Sequence, residues 1–558
     1  MNTTIMIATT NLTLNEIKSH LIETRYIIPT AQTYQSIETS SKGFSTYGPN
    51  GISLKNKIIN IWRSIFIKDN VYEIDTPILQ SQEVLTNSGH VGRFNDLVIS
   101  NESNEIYRAD HLVKKYAEEN NIILEKPIDD FTKDELLEFV KKYKVIENSE
   151  NAIIAPKNLM FGCGKLYLRP EIAQGMFTEF EQFYNYSYDL PFGLAQVGKS
   201  FRNEISCQPF IRLKEFTQAE IEYFFDPNCE THDNFHQVKN IKLQLFTQQL
   251  QLAGKEPITI SLEEAVNTGI IINEIMGYFL GKVFEFVKKL GIDDHNIRFR
   301  QHLPNELSHY ARQCWDLELL LVNMQWLECV GCAHRGDYDL TNHNIREQNY
   351  IKKYDTKVTK YKINLDKKTN LSKEEIKDFY VFAKGKIFNS IEEIETLQIN
   401  EKYKSQMVIT EVQEIIKSKV IPYVIEPSIG IDRIIFALAN NLLRKRDADL
   451  DRVVFNLKSY LSPYNVGLFV LSNNEELLKK CKQIRHMLEI KYNVYTDFSA
   501  TSIGKRYVRS DEIGIQYVIT IDFETIENNT VTIRNSFDGS QERHNINNLM
   551  MIIKFMNR

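Results

Sequence analysis

The chain has 558 residues, too many for one ordinary domain, so roughly two to four compact units are expected. Its 42% hydrophobic and 25% charged residues belong to a globular protein able to bury a core. A formal charge of −6 excludes coating of nucleic acid by bulk positive charge, while leaving room for a local basic patch.

Residues 1–40 read as a short polar, Thr-rich extension with one helix near 14–24. Ordered sequence is expected to begin at "GFSTYGPNG", a turn cluster that leads into an amphipathic helix with Ile58, Ile61, Trp62 and Ile65 at helical spacing. A strand in "YEIDTPILQ" follows. Two motif-poor stretches, about 109–160 and 344–419, read as inserted helical segments within a domain spanning 41–460. The pattern over 162–227 is strand-like, and "NTGIIINEIMGYFLGKVFEFVKKLG" is a long helix ended by Gly291. From about 461 to 558 strands and helices alternate, marking a separate α/β domain whose first helix places Leu477, Leu478, Cys481, Ile484 and Leu488 on one face. Seven unpatterned cysteines suit a reducing compartment, and no apolar run approaches membrane-spanning length. The opening "MNTTIMIATTNLTLNEIK" lacks the features of a signal or transit peptide. A soluble, cytoplasmic protein with no membrane attachment is expected.

Two segments carry chemistry. In "KEFTQAEIEYF" the strand period of two puts Phe216, Gln218, Glu220 and Glu222 on one face and Thr217, Ala219, Ile221 and Tyr223 on the other. Arg202 and Glu204 are expected to share a face of the preceding strand, with a loop over 205–211 between them. Such a ribbon can offer arginine to a phosphate, glutamate to an amine and an aromatic ring to a flat base. A ribbon with mere cross-strand ion pairs has the same spacing, so both readings stand at this point. In "VIEPSIGIDRIIFAL", Glu426 and Ser428 share a strand face, Pro427 and Gly430 shape a turn, and Arg433 sits in the first turn of a helix. A glycine turn beside an arginine suits a nucleotide phosphate, although a capped amphipathic helix bearing one arginine is common.

Together these segments resemble motifs 2 and 3 of the class II aminoacyl-tRNA synthetases, and in detail the dimeric glycyl-tRNA synthetases of the eukaryotic and archaeal type. The same resemblance runs in family order through "GFSTYGPNG", "SGHVGRFNDLV", "YRADHLV", "LYLRPEIAQGMF", "FRQHLPNELSHYARQCWDLE", "WLECVGCAHRGDYDL" and "SIGKRYVRSDEIG". It implies an α+β catalytic core, an antiparallel sheet flanked by helices, followed by an α/β anticodon-binding domain. The implied reaction joins glycine to ATP as glycyl-adenylate and passes the glycyl group to tRNA(Gly), with no protein nucleophile.

By that resemblance Arg202 contacts the α-phosphate and the glycine carboxylate, Glu204 accepts from the adenine amino group, Phe216 stacks under the ring, and Arg433 covers it and pairs with the γ-phosphate. Glu171, Glu220 and Glu426, with Ser428 beside them, form an anionic cage for the glycine ammonium. Mg²⁺ is implied, with Glu328 as first ligand candidate and Glu318 second. "CVGC" lacks the second pair a zinc site needs, so no zinc is expected. His309 and His334 are expected to be structural. Lys505, Arg506, Tyr507 and Arg509 are implied as tRNA contacts. Motif 1, about 54–79, is implied as a homodimer interface, because its apolar helix would otherwise be exposed.

The chain departs from the family pattern in a shorter motif 2 loop with Gln208 near a customary arginine, in Asp432 at a customary glycine, and in His334 at a customary aspartate. The N-terminal helical hairpin of many eukaryotic relatives is not expected. Two other functions remain on sequence grounds: a non-catalytic, synthetase-derived nucleic-acid-binding subunit, and diadenosine polyphosphate synthesis as a side activity of the same enzyme.

Overall fold

The computed structural model describes residues 12–30, 43–100, 106–185, 190–308, 310–343, 354–418, 421–446 and 449–556. Order begins earlier than the sequence led us to expect. Helix α1 (Leu14–Glu23) opens with a capping box between Thr13 and Glu16, and Ile17, Leu21 and Tyr26 are fully buried in the main core. The short strand Ile27–Ile28 pairs with Thr46–Tyr47, which leads directly into helix α2 (Pro49–Phe66). "YGPNG" is glycine-rich because two backbones meet there: a Cβ on Gly48 would lie 2.2 Å from the Arg25 carbonyl oxygen, and one on Gly51 only 1.9 Å from that of Tyr26. Ile58 and Trp62 of α2 have no exposed surface and point into the chain's own core. The argument that this helix needs a partner to cover it therefore falls. What motif 1 leaves exposed is Ile78 and Leu79, with Ile52 exposed just ahead of it.

Nine strands make the main sheet: β1 (Val71–Glu73), β2 (Phe192–Phe201), β3 (Glu215–Phe225), β4 (Lys242–Phe246), β5 (Ile258–Ser261), β6 (Ile297–Gln301), β7 (Gln313–Leu320), β8 (Trp326–Gly336) and β9 (Tyr423–Gly430). Their order is β5-β4-β6-β7-β8-β9-β3-β2-β1, and the run from β6 to β2 is antiparallel throughout. The two faces of β3 divide as the period of two requires. Ala219, Ile221, Tyr223 and Phe225 enter the main core with α2. Phe216, Gln218, Glu220 and Glu222 line the other face, where Phe224 packs on Phe177 and Phe180 of helix α3 (Ala173–Asn185). That helix lies inside the stretch read as strand-like; its Ala173, Met176, Phe177 and Phe180 are buried at helical spacing. Helices α4 (Glu274–Lys289) and α5 (Ile431–Leu442) complete the core side.

The first insertion holds helices Ala109–Glu119 and Lys133–Tyr143 and the strand Ile154–Asn158, which joins Asn95–Ser100 and Ile106–Arg108, just ahead of the insertion, in a three-stranded sheet with its own small core. The second, Ile345–Pro422, is a compact unit by itself. In it the strands Tyr354–Leu365 and Met407–Ser418 form an antiparallel ribbon, with helices Lys373–Ala383 and Ile391–Glu395 between them. The strands of both insertions were not foreseen, because neither shows clean alternation.

The C-terminal module has strands β10 (Val466–Val470), β11 (Val494–Thr496), β12 (Tyr517–Ile521), β13 (Thr530–Asn535) and β14 (Gln541–Asn545), in the order β11-β10-β12-β13-β14. Helix α6 (Glu475–Glu489) buries Leu477, Cys481, Ile484 and Leu488 against it. Helix α7 (Ile503–Ile513) ends against the N-terminal segment: the Tyr26 hydroxyl donates to the Ile513 carbonyl at 2.7 Å, and the His20 ring meets that of Glu512 at 2.9 Å. No helix among the described residues is long and apolar enough to cross a membrane.

Because Gly51 touches backbone that cannot move aside, Gly51→Ala is expected to lower unfolding free energy by about 3 kcal/mol in urea titration, the upper range for overpacking. Gly92→Ala meets nothing within 4 Å and should be near neutral.

Candidate active site

The β2–β3 hairpin ends in register at Ser200 opposite Phe216 and Phe201 opposite Glu215. Arg202 and Glu204 therefore sit beyond the strand in the connection, not on it as the sequence implied. The chain still holds them firmly: the Arg202 N–H donates to the Lys214 carbonyl at 2.9 Å, and a Gln208–Arg212 bridge closes the loop. The Arg202 guanidinium lies 5.3 Å from the ring centroids of both Phe94 and Phe216, and its Nε donates to the Pro170 carbonyl. Burial pushes the Glu204 carboxyl up, with Arg212 and Arg202 pulling the other way.

These residues line one pocket with Arg433 and Glu328. Arg433 is placed by backbone contacts, its Nε to the Ile211 carbonyl at 2.9 Å and its Nη1 to that of Glu328 at 3.0 Å, and it pairs with the Glu328 carboxylate at 3.0 Å. Glu328 reaches the pocket through a β-bulge: Leu317 pairs with Val330 but Glu318 with Glu328, leaving Cys329 as the extra residue. Asp432, the departure from the family glycine, is buried and accepts from the Thr217 N–H at 2.6 Å and from the Tyr47 hydroxyl. It ties the helix turn that carries Arg433 to the strand residue next to Phe216.

Deeper along the same face of β3 lies a cluster of carboxyl groups. Glu220 accepts from the Ile172 and Ala173 N–H groups, both at 3.1 Å, at the start of α3, and from Ser428 Oγ at 2.5 Å. Burial and the neighbouring Glu171 raise its proton affinity. Burial also works against ionisation of Glu171, but His90 and Arg335 outweigh it and hold that carboxyl well below the usual range. Burial pushes Glu426 up to about 8, even though Arg335 Nη1 meets its Oε2 at 2.6 Å.

Three members of this cluster went unassigned at the sequence level. Arg335 is 1% exposed, binds Asp339 at 2.7 Å and Glu426 at 2.6 Å, lies 3.7 Å from Glu171, and stacks on Tyr310. Its signal was an arginine in an apolar strand with an aspartate four residues on. His90 lies 3.5 Å from Glu171. Glu222 is wholly buried, and neither carboxyl oxygen has a hydrogen-bond partner.

Other candidates resolve differently. The Glu318 carboxylate is engaged by Arg298 at 2.6 Å and Arg300 at 3.2 Å, whereas Glu328 is 53% exposed toward the pocket. His302, Cys314 and Asp316 cluster within ligand range, but His302 and Arg300 already bind Asp316 and burial keeps the Cys314 thiol protonated, which makes a poor metal site. Cys329 and Cys332 are both core residues, and Cys332 donates to Met276 sulfur. His334 is buried against Phe225 and Tyr423, and burial lowers it to about 4. His309 lies outside the described residues. On α7, Arg506 is buried and donates to the Asp497 and Leu471 carbonyls, while Tyr507 lies under the Arg534 guanidinium and contacts Thr520. Only Lys505 and Arg509 of that set are exposed, and Arg509 pairs with Asp497.

A strand pair that brings an arginine–aromatic pocket beside a buried carboxylate cage agrees with the family models the chain matches. Residues 163–442 match the tRNA synthetase class II core domain (G, H, P, S and T), and residues 465–556 match the anticodon binding domain, which makes this a class II aminoacyl-tRNA synthetase. The chain is 37% identical to the glycine–tRNA ligase of Methanocaldococcus jannaschii, covering 92% of this chain and 94% of that protein. It is 34% identical to glycine–tRNA ligase 2 of Saccharomyces cerevisiae, covering 97% and 95%. The chain belongs to the glycine–tRNA ligase family.

A carboxyl raised in the folded state costs stability as pH climbs from its unfolded value to its folded one, because only the unfolded chain releases the proton readily. Glu426, at about 8, acts in this sense. Glu426→Gln should therefore gain stability relative to wild type by about 1 kcal/mol or more between pH 5 and pH 8, read by urea unfolding at each pH.

Proposed function

We propose that the chain activates glycine with ATP and transfers the glycyl group to the 3′ end of tRNA(Gly). The observation that carries this reading is the placing of two substrate sites on one face of β3, four residues apart, with Phe216 at the nucleotide end and Glu220 in the carboxylate cage.

In this reading adenine stacks on Phe216, Arg433 covers it, and Glu204 accepts from its amino group. Among the described residues only the Nε of Arg202 is hydrogen-bonded, so its terminal nitrogens can reach the α-phosphate. The glycine carboxylate forms a bond to the α-phosphorus as the bond to pyrophosphate breaks, and Arg202 neutralises the charge that gathers there. In the second step a ribose hydroxyl of the tRNA attacks the glycyl carbonyl and AMP leaves. Glu171, Glu220 and Glu426 hold the ammonium with Ser428 beside them, and its arrival drives the proton off Glu426. Exclusion of alanine has to come from lack of room, because one extra methylene in a pocket changes binding by only about 1–3 kcal/mol.

Mg²⁺ fits the Glu328 carboxylate, which faces the pocket and meets one arginine, better than that of Glu318, which two arginines hold; bound there it would neutralise the β- and γ-phosphates. Lys505 and Arg509 are placed to meet tRNA from the exposed side of α7. Cytoplasmic location is supported by seven cysteines, sparse and unpatterned in the sequence. We place the dimer contact at exposed Ile78, Leu79 and Leu166, the last two on neighbouring strands of a small sheet. The reading as a non-catalytic nucleic-acid-binding subunit is disfavoured, since both substrate sets remain in place.

Glycine-dependent ATP–pyrophosphate exchange and tRNA charging test the activity on purified protein. Arg202→Ala should cut kcat of exchange by roughly a hundredfold or more. No exchange with wild type would sink the assignment, and exchange without charging would leave diadenosine polyphosphate synthesis as the better reading. The double substitution Lys505→Ala and Arg509→Ala should raise the tRNA KM about tenfold, an effect that weakens with salt. Sedimentation at micromolar concentration should give a dimer, which Leu79→Glu with Leu166→Glu dissociates; a monomeric wild type would remove the dimer proposal.

A further inference from the structure

Glu222 is the one carboxyl of the cluster with no assigned work. The donors around it are turned to other acceptors, and no described residue donates to its carboxyl oxygens. Arg335 on β8 spends Nε and Nη2 on Asp339 and Nη1 on Glu426. The two N–H groups at the start of α3 go to Glu220 on the same strand, and the α3 amide of Gln174 goes to Glu171 and Asp339. On β2 the partner in register is Leu194, which offers no side-chain donor. On β9 the pairing of Glu220 with Ser428 and of Tyr223 with Ile425 runs in one register, which brings Glu222 opposite Glu426. Carboxyl oxygens of Glu220, Glu222 and Glu426 all lie within 4.8 Å of one another. An ionised Glu222 would thus be a further negative charge in the cluster with no hydrogen-bond donor among the described residues.

We infer that Glu222 is a permanently neutral carboxylic acid whose O–H serves as the hydrogen-bond donor for Glu426 when glycine is bound, making it a positioning residue of the ammonium cage. This rests on the glycine reading above. Burial first, then the charge of Glu426, pushes the Glu222 carboxyl far up, against the pull of Arg335. The empty site then carries protons on both Glu222 and Glu426. When the ammonium enters, Glu426 gives up its proton to solvent and Glu222 keeps its own. One Glu426 oxygen already faces Arg335 Nη1, and the Glu222 hydroxyl satisfies the other. The cage thus reaches the charge the ammonium needs without a fourth carboxylate opposing closure of the site.

Two variants and two readouts test this on the full chain. Glu222→Leu removes the donor and should raise the glycine KM at least tenfold with little change in the ATP KM, while Glu222→Gln, which keeps a neutral donor, should recover most of that loss. Infrared spectra near pH 7.5 should show protonated-carboxyl intensity in wild type that Glu222→Gln lowers, leaving the part that belongs to Glu426. If the glutamine variant is as impaired as the leucine one, or loses intensity in the ionised-carboxylate region instead, Glu222 is charged and the inference fails. Equal damage to glycine and ATP KM would mark a merely structural role and overturn it too. The infrared arm needs no substrate, so a wild type without glycine activation would defeat the proposed function while that arm still decides the protonation of Glu222.

Discussion

Carboxyl groups cannot share a dry pocket without a counter-charge, and one guanidinium supplies it here. Arg335 reaches Asp339, Glu426 and Glu171 from a single buried position, with Tyr310 stacked on its plane. A lysine could not do this, because its point charge lacks the fork that meets three acceptors in different directions. Everything else in the cage is arranged around that fixed charge. Helix α3 adds a second source of positive potential by aiming its first N–H groups at Glu220, and His90 adds a third beside Glu171. The result is a site whose acids differ in character although they are one residue type: Glu171 is held ionised, while Glu222 and Glu426 are driven toward their neutral forms.

The second constraint is the two-sidedness of β3. Its apolar face is locked into the main core between helices, so the polar face cannot rotate or slip without exposing Ile221 and Tyr223. Asp432 extends this stiffness to the nucleotide end by joining the first turn of α5 to Thr217. The aromatic platform and the arginine above it are thereby held by the same network that holds the core. The chain has accepted an unusual buried aspartate there and matched it with a tyrosine hydroxyl and a backbone donor, which is how a buried charge becomes tolerable.

How far the sequence reveals this depends on which physical signal each part left in it. The alternation in "KEFTQAEIEYF" separates the two faces of β3 correctly, since period two is a direct consequence of strand geometry. The amphipathic pattern of α6 is equally readable. Family resemblance reaches Arg335 only as part of a quoted motif, because its importance lies in long-range contacts with Glu171 and Glu426. Glu222 was seen as a face-mate of Glu220, yet nothing in a one-dimensional pattern says that no described residue donates to its carboxyl oxygens. The bulge at Cys329 hides for a similar reason, because one extra residue in one strand shows only when the partner is known. Helix α3 was missed because its aromatic residues also suit strands, and burial on both sides decided in favour of the helix. Arg506 and Tyr507 look in sequence like nucleic-acid contacts, and the fold uses them as internal braces.

The contacts from Tyr26 and His20 to the last turn of α7 have a mechanical side. Both grip backbone carbonyls, so they hold the helix by its frame whatever side chains it carries. The far end of α7 displays Lys505, about two turns from the gripped end, which abuts the segment that also presses on Gly48 and Gly51 at the start of α2. The exposed basic end and the backbone crossing at the start of α2 are therefore tied to the same short segment. Residues 12–30, plain in composition, join the two modules.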